Sequence, residues 1–320
     1  MQRSTPTILC FGEILWDIFH DETSKTSPRS VLGGAPSNLC YFFNMLGEQS
    51  LLVSQVGKDE LGQKALAQIK ALHIPHLISQ SKTLPTGKVD IVIQNNEPTY
   101  TFNTPAAWDE IPYSEDIQKA TQTAEIIAFG SLASRFHQMA DTENSFSTLK
   151  KILTNQAGIQ PRSQSALRFL DLNLRTPFYD DAIVLELLKF ADILKINETE
   201  FHYLKNLLSL NELSTRDALY ALIIQLRLNY VILTLGENGS IVMSENDYSA
   251  LSAKKINNPN TVGAGDGFSA GFITALNRGA SFAKAHHFAN ELSAYICTQE
   301  GAFIDIPHTF IKALNAFEKW

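Results

Sequence analysis

A glycine-rich turn near the C-terminus, Gly263-Ala264-Gly265-Asp266, has the residue types of an anion site. It precedes a small, apolar and aromatic pattern that predicts a buried helix. The first N–H groups of such a helix, and the positive end of its dipole, attract phosphate or a developing oxyanion. Asp266 would repel a phosphate unless it has another task, such as accepting a proton from an attacking hydroxyl. The alternative is that Asp266 only caps the helix and the glycines permit close packing.

A second group of residues, near the N-terminus, suits a polyhydroxylated ligand. The bare backbone of Gly33-Gly34 could lie against such a ligand, and the Asn38 amide could bond two of its hydroxyls. Asp17 is acidic inside an otherwise apolar run, where it needs a partner, and sugar hydroxyls are good donors. A capped helix start at 33–38 and a surface-facing Asp17 remain open alternatives.

Polar side chains also follow two predicted strands in the second half of the chain. Asp171, Asn173 and Arg175 come at the carboxyl end of one strand, where open α/β sheets bind ligands. Arg175 could contact a phosphate or a sugar there, or form a surface ion pair. The segment 197–200, with sequence NETE, follows the next strand, and as a bare pattern it favours a helix cap with an acidic first turn.

Short apolar runs alternate with helix-compatible sequence through most of the chain, which predicts an α/β fold with a central, mostly parallel sheet. The runs are 7–11, 51–56, 125–130, 168–173, 192–197 and 230–236. Segments of about 13–33 and 86–104 resemble strands without intervening helices, the second a hairpin turning at Asn95-Asn96. They predict a small β lid, with edge strands of the main sheet as the alternative. No repeat or linker divides residues 1–320, so we expect a single domain.

Composition limits the classes of partner. The chain has 320 residues, a net charge of -7 and a pI near 5.6, which argue against a broad nucleic-acid surface. No uncharged apolar run approaches the roughly 18 residues of a membrane span, and the N-terminus lacks the apolar core of a secretory signal. We therefore expect a cytoplasmic protein with neither nucleic acid nor membrane as a partner.

Five motifs occur in order along the chain: GGAPSN at 33–38, DLNLR at 171–175, NETE at 197–200, TLGENG at 234–239 and NTVGAGDGFSAG at 260–271. With them the chain resembles the ribokinase-like (PfkB) carbohydrate kinases over essentially its full length. The resemblance implies a ribokinase-like three-layer α/β/α fold with a small β lid. It also implies ATP-dependent phosphorylation of a small-molecule sugar.

The resemblance further implies a role for individual positions. Asp266 would be the catalytic base, and the amides of Gly263, Ala264 and Gly265 the anion hole. Sugar-binding positions would be Asp17, Gly33, Gly34, Asn38 and Arg175. Nucleotide-binding positions would be Asp171, Asn173, Asn197, Thr234, Gly236, Gly239 and Asn290, of which Asn290 would lie beside the adenine. Glu200 would help to hold Mg²⁺, through coordinated water.

The acceptor is expected to be D-fructose, phosphorylated at its 6-hydroxyl, because GGAPSN and the segment TPAAWDEIP at 104–112 resemble fructokinases. Ribose, 2-keto-3-deoxygluconate or adenosine are alternative acceptors, and a catalytically silent sugar-sensing protein is the alternative from another class. The family usually has Asp where this chain has Asn260, beside a monovalent-cation site, so activation by K⁺ stays open. Many relatives dimerise through the lid, and a homodimer of that kind is an open expectation.

Overall fold

The computed structural model describes residues 8–20, 29–94, 97–136, 143–155 and 166–317. In chain order its strands are β1 (Ile8–Phe11), β2 (Leu15–His20), β3 (Arg29–Gly33), β4 (Ser50–Gly57), β5 (His76–Ser81), β6 (Gly87–Gln94), β7 (Glu97–Phe102), β8 (Ile126–Gly130), β9 (Leu167–Asp171), β10 (Ile193–Asn197), β11 (Tyr230–Thr234), β12 (Ser240–Met243) and β13 (Tyr248–Leu251). The helices are α1 (Ala35–Met45), α2 (Glu60–Ala71), α3 (Glu115–Thr123), α4 (Ser145–Asn155), α5 (Asp181–Leu188), α6 (Glu198–Leu207), α7 (Thr215–Leu226), α8 (Ala264–Asn277), α9 (Phe282–Cys297) and α10 (His308–Asn315).

A nine-stranded sheet forms the centre of the fold, in the order β5-β4-β1-β8-β9-β10-β11-β12-β13. In this spatial order the seven strands β5, β4, β1, β8, β9, β10 and β11 pair in parallel, while β12 and β13 are antiparallel to their neighbours. All six predicted strands lie in the parallel part. The outer strands β5, β12 and β13 were not predicted, because their sequences are less apolar or are joined without a helix.

Successive side chains of the central strands point to opposite faces and are buried on both. On β1, Ile8 and Cys10 pack in a cluster with residues of α1, α2, α8 and α9. The alternate residues Leu9 and Phe11 pack in a second cluster with α3 to α7. The sheet is therefore sandwiched between two helical layers, and the predicted three-layer architecture is confirmed.

A second, four-stranded sheet has the order β3-β2-β6-β7. It is built from the two segments predicted at about 13–33 and 86–104, so the alternative that they are edge strands of the main sheet is wrong. Strands β6 and β7 pair antiparallel, with Gln94 opposite Glu97, whereas the predicted turn residues Asn95 and Asn96 lie outside the described residues. That this sheet acts as a lid remains a prediction.

The helices of the described ranges are shorter than a membrane span. None of them is both long enough and apolar enough to span a bilayer. The longest, α9, has 16 residues.

Candidate active site

The predicted anion turn is the N-terminus of helix α8. Gly263 has φ 75° and caps the helix, and this left-handed conformation favours glycine. The N–H of Ala264 donates to the Thr261 carbonyl at 3.2 Å, and the N–H of Gly267 donates to the Gly263 carbonyl at 2.8 Å. The Ala264 amide, one of the three predicted anion-hole donors, would therefore have to share or exchange its bond to hold an anion. Asp266 lies in the first turn of the helix.

Asp266 meets Asn38 across 228 residues of sequence. Asn38 Nδ2, on α1, donates to Asp266 Oδ2 at 3.0 Å. The other amide atom, Asn38 Oδ1, is buried and has no hydrogen-bond partner among the residues that the structure describes. A buried carbonyl oxygen without a partner is costly, and a ligand hydroxyl would satisfy it.

The junction of β3 and α1 requires glycine at position 34 and places Gly33 against an acidic side chain. Gly34 has φ 112°, and a Cβ there would collide with the carbonyl oxygen of Glu13. A Cβ on Gly33 would lie 2.9 Å from Asp17 Oδ2 on β2. Asp17, Gly33, Gly34 and Asn38 are therefore brought together where the small sheet meets the main body. Burial raises the pKa of Asp17 to about 6, against the opposing effect of the Arg175 charge.

Arg175 is exposed in the loop after β9, and its Nη1 donates to the neighbouring Leu174 carbonyl at 3.1 Å. Its positive charge lowers the pKa of three carboxyls, those of Glu13, Asp17 and Asp266, in each case against the larger, raising effect of burial. The guanidinium thus supplies positive charge to both the Asp17 side and the Asp266 side of the site.

Three of the predicted positions share one pocket of about 350 Å³ that is open to solvent. Asp171, Asn173 and Asp266 line it together with Glu13 and residues 128–132. Asn173 has φ 43°, a left-handed conformation that asparagine tolerates, and its carbonyl accepts a bond from Ser131 Oγ at 3.4 Å. Burial raises the pKa of Asp266 to about 7, helped by the charge of Asp171 and opposed chiefly by Lys195.

Two charged residues of this site were missed by the sequence reasoning. Glu13 is 4% exposed, lines the pocket, and accepts the N–H of Ala35 at the start of α1; burial raises its pKa to about 7. Lys195, on β10, donates through Nζ to Asp171 Oδ2 at 2.6 Å. The signal for each was a charged residue in a largely apolar run, GEILWD for Glu13 and DILKIN for Lys195, and that pattern does not identify a partner.

The segment 197–200 forms a capping box at the start of α6. Asn197 Oδ1 accepts the N–H of Glu200 at 2.9 Å, and Glu200 Oε2 accepts the N–H of Asn197 at 2.9 Å. Glu200 Oε1 accepts the N–H of Leu174 at 2.8 Å, so both carboxylate oxygens hold backbone amides. The hydrogen bonds of residues 197–200 are therefore those of a helix cap, the alternative that the bare pattern favours. Burial, and next the charge of Asp171, raise the pKa of Glu200.

The donors beside this capping box are compatible with Mg²⁺ that is held mainly by other ligands. Asp171 and Glu200 offer the hard carboxylate oxygens that Mg²⁺ prefers, although both oxygens of Glu200 already accept amides. In the described part of the chain, no group of three or more His, Cys, Asp or Glu could hold a metal ion. Mg²⁺ would therefore be held through water and the phosphates of a bound nucleotide.

The remaining predicted nucleotide positions surround the end of β11. Thr234 pairs with Asn197 across the strands β10 and β11. Gly236 and Gly239 have φ 57° and 105° in the turn that follows, and a Cβ on Gly239 would lie 2.8 Å from Ser252 Cα. Asn290 Nδ2, on α9, donates to the Ser252 carbonyl at 3.3 Å, and Ser252 in turn lies beside Gly239.

Trp108, in the segment 104–112, could stack on a sugar face or act as a buried hydrophobic anchor, and it is 1% exposed. The guanidinium of Arg135 lies 3.9 Å from the centroid of its ring and pairs with Asp109 at 2.6 Å. The anchor interpretation is therefore the correct one.

A model of the PfkB family of carbohydrate kinases matches residues 5–309. This chain belongs to that family. PfkB carbohydrate kinases are phosphotransferases, and they act on sugars. The ATP-dependent 6-phosphofructokinase of Thermoanaerobacterium thermosaccharolyticum is 25% identical over 309 residues, which cover 94% of this chain and 90% of that protein.

Solved structures share the same fold over almost the whole chain. An uncharacterized sugar kinase from Pyrococcus horikoshii has a TM-score of 0.79 and 23% identity, and covers 97% of this chain and 99% of its own. A fructokinase from Vibrio cholerae O395, bound to fructose, ADP and a calcium ion, has a TM-score of 0.75 and 22% identity, and covers 99% of this chain and 100% of its own. At these identities the structures show the fold alone.

Proposed function

We propose that this PfkB kinase transfers the γ-phosphoryl group of ATP to the 6-hydroxyl of D-fructose, with Asp266 as the base. One observation carries the proposal: the Asp266 carboxylate, at the N-terminus of α8, is hydrogen-bonded at 3.0 Å to Asn38, whose Oδ1 is buried without a partner. A sugar hydroxyl that donates to Asn38 Oδ1 would lie close to the carboxylate that removes a proton.

In the proposed reaction the O6 oxygen of the sugar attacks the γ-phosphorus. The bond from that phosphorus to the β–γ bridging oxygen breaks, ADP leaves, and the hydroxyl proton passes to Asp266. N–H groups at the start of α8, including that of Gly265, would stabilise the charge on the transferring group, as helix N-termini do for anions. Bound Mg²⁺ supplies neutralisation of phosphate charge, and Glu200 and Asp171 are the residues that would hold it through water.

The acceptor side of the site is proposed to be Asp17, Gly33, Gly34, Asn38 and Arg175. The glycines give a sugar access to bare backbone, and Asp17 and Asn38 offer acceptors for its hydroxyls. Fructose is preferred over other acceptors because of the GGAPSN and TPAAWDEIP segments. The nucleotide is proposed to lie along Asp171, Asn173 and Asn197, the turn after β11 with Thr234, Gly236 and Gly239, and Asn290 on α9.

Three further proposals concern the state of the protein in the cell. We propose a single functional domain in which the four-stranded sheet closes over the sugar as a lid, in a cytoplasmic enzyme. A homodimer through that sheet is the proposed assembly, and size-exclusion chromatography with light scattering measures it directly. The lid proposal predicts that β6 and β7 become protected from hydrogen exchange when sugar binds, and unchanged exchange would contradict it.

The test of the reaction is an ADP-release assay against fructose, ribose, 2-keto-3-deoxygluconate, adenosine and fructose 6-phosphate. We expect fructose to give the highest kcat/KM, with phosphorylation at O6 identified by NMR of the product. Faster turnover of another acceptor would contradict the fructose assignment but leave the kinase. Asp266→Asn should abolish turnover while ATP still binds, and near-normal activity in that variant would contradict the mechanism. Sugar binding without turnover by the unmodified protein would indicate the sensing alternative.

A further inference from the structure

A buried ammonium group lies among carboxylates from three elements of the fold. Lys195 on β10 and Asp171 on β9 are register partners, and Lys195 Nζ donates to Asp171 Oδ2 at 2.6 Å. Their side chains are 11% and 12% exposed, so the two charges are shielded from bulk water and interact strongly. The charges of Asp266 on α8 and Glu200 on α6 also act on Lys195 and raise its pKa.

The same ammonium lies close to the turn that begins α8. A Cβ on Gly265 would lie 3.3 Å from Lys195 Nζ and 3.7 Å from its Cε. Gly265 directly precedes Asp266, so the cation stands beside both the proposed anion hole and the proposed base. A side chain at position 265 would press on Lys195, which gives glycine at this position a reason beyond helix capping.

A purely structural ion pair would explain only part of this arrangement. Such a pair could link β9 to β10 without contact to α8, and buried pairs often add little net stability. Here the two members of the pair act on Asp266 in opposite directions. The charge of Lys195 favours the ionised form of Asp266, whereas the charge of Asp171 disfavours it. The position of Lys195 beside Gly265 makes its charge available to the reacting end of the site.

We propose that Lys195 is a positioning residue of the phosphoryl-transfer reaction, which, held by Asp171, keeps a fixed positive charge beside Gly265, the residue that precedes Asp266. The inference rests on the proposed function, in which Asp266 is the base. The charged, titratable and hydrogen-bonding groups that act with Asp266 come from every element around it: Lys195, Asp171, Asn38, Arg175, Glu13 and Cys10.

The test is the pH dependence of kcat/KM in variants of the two members of the pair. Lys195→Met removes the favourable charge and should move the acidic midpoint upward by about one pH unit, which is about a tenfold loss of kcat/KM on the acidic limb relative to the alkaline plateau. Asp171→Asn removes the unfavourable charge but keeps an amide oxygen that can accept from Lys195 Nζ, so Lys195 should stay in place and the midpoint should move downward. Lys195→Arg retains the charge and should restore the original midpoint.

Lys64→Met is the matched control, because Lys64 also pairs with a carboxylate, Glu60, at 2.7 Å, but on the exposed surface of α2. It should leave the midpoint where it is. Asp171→Asn keeps an oxygen acceptor for the Lys195 ammonium, so this arm remains available if Lys195→Met does not fold. Midpoints that stay fixed in both variants, or that move in the same direction, would overturn the proposal, because loss of a structural pair lowers the rate without opposite shifts.

A second readout does not depend on activity. The Asp266 carboxyl can be titrated by NMR in protein labelled with ¹³C at its aspartate carboxyls, with its signal assigned by its loss in Asp266→Asn. We expect the same opposite shifts there. Shifts without turnover of any acceptor would refute the proposed function and leave the charge effect of Lys195 standing. Turnover with unmoved midpoints would refute only the role of Lys195.

Discussion

Replacement of Asp266 by asparagine should stabilise the protein, and increasingly so as the pH rises. Burial holds the Asp266 carboxyl at a pKa of about 7 instead of its ordinary 3.8, so the folded protein resists an ionisation that the unfolded chain undergoes freely. A raised pKa means that the folded state binds more protons than the unfolded one. The free energy of unfolding therefore falls as pH rises from about 4 through about 7, and then levels off.

The expected magnitude follows from the two pKa values. At pH 5 the ionisation of the unfolded chain lowers the free energy of unfolding by roughly 1.6 kcal/mol, and at pH 8 by roughly 4.3 kcal/mol. The gain in Asp266→Asn should thus grow by about 2 to 3 kcal/mol between these pH values, as an upper bound because the pocket admits water. With an unfolding entropy of about 2.1 cal/mol/K per residue, this corresponds to roughly 4 °C in Tm.

The assay is thermal unfolding of both proteins by circular dichroism at pH 5, 6, 7 and 8. Asp116→Asn on α3 is the control, because Asp116 is 72% exposed and pairs with Lys119 only at 3.9 Å, so its effect should be small and nearly constant. A difference between Asp266→Asn and the unmodified protein that does not grow with pH would refute the reasoning. A variant less stable at pH 8 would refute it as well.

Four further outcomes are expected. The kcat/KM of the unmodified enzyme should rise about tenfold per pH unit up to about pH 7 and then level off, because Asp266 must be deprotonated; a flat profile between pH 5 and 8 would contradict this. Asn38→Ala should raise the KM for the sugar about tenfold and leave the KM for ATP unchanged, since its buried Oδ1 is proposed to bind a hydroxyl; equal effects on both substrates would contradict that role. Gly34→Ala should lower the free energy of unfolding by more than about 2 kcal/mol in a denaturant titration, because its Cβ would collide with Glu13. Gly301→Ala, with φ 101° but no atom within 4 Å of its Cβ, should lower it by only the roughly 1 kcal/mol of backbone strain, and equal losses would contradict the collision. Asn260→Asp should create activation by KCl over NaCl that the unmodified enzyme lacks, because Asn260 Oδ1 accepts the Val262 N–H at 3.1 Å and carries no charge; KCl activation of the unmodified enzyme would contradict this.

The sequence predicted the inner part of the sheet because its strands are apolar throughout. The edge strand β5, HLISQS, is mostly half-buried and has only two apolar residues, the adjacent Leu77 and Ile78, so its composition does not distinguish it from a loop. Strands β12 and β13 form a hairpin without the helix that marks the other connections. The edge strands β5 and β13 are partly exposed, where strong apolar patterning is not required, whereas β12 is buried and was missed because a short hairpin joins it to β13.

In the site, the motifs predicted which segments meet, and the order of the strands decided which side chains pair. Asp171 belongs to a predicted motif, but its partner Lys195 could be identified only once β9 and β10 were known to be neighbours in register. Glu13, in the loop between β1 and β2, likewise acquires its partner, the N–H of Ala35, only where that loop meets the start of α1. Charges inside apolar strands mark such positions in the sequence, whereas their partners depend on the topology.

The junction at Gly33-Gly34 has a consequence for how such an enzyme can change in evolution. Asp17 belongs to the small sheet, Asn38 follows the junction, and Asp266 is supplied by a helix more than two hundred residues later. In the proposed function β2 carries an acceptor-side residue and α8 carries the base, so substitutions in β2 would change the acceptor side while the α8 turn, with its amides and carboxylate, stays as it is. Under that proposal, a lineage with this architecture could acquire new sugars without changing the groups that phosphorylate them.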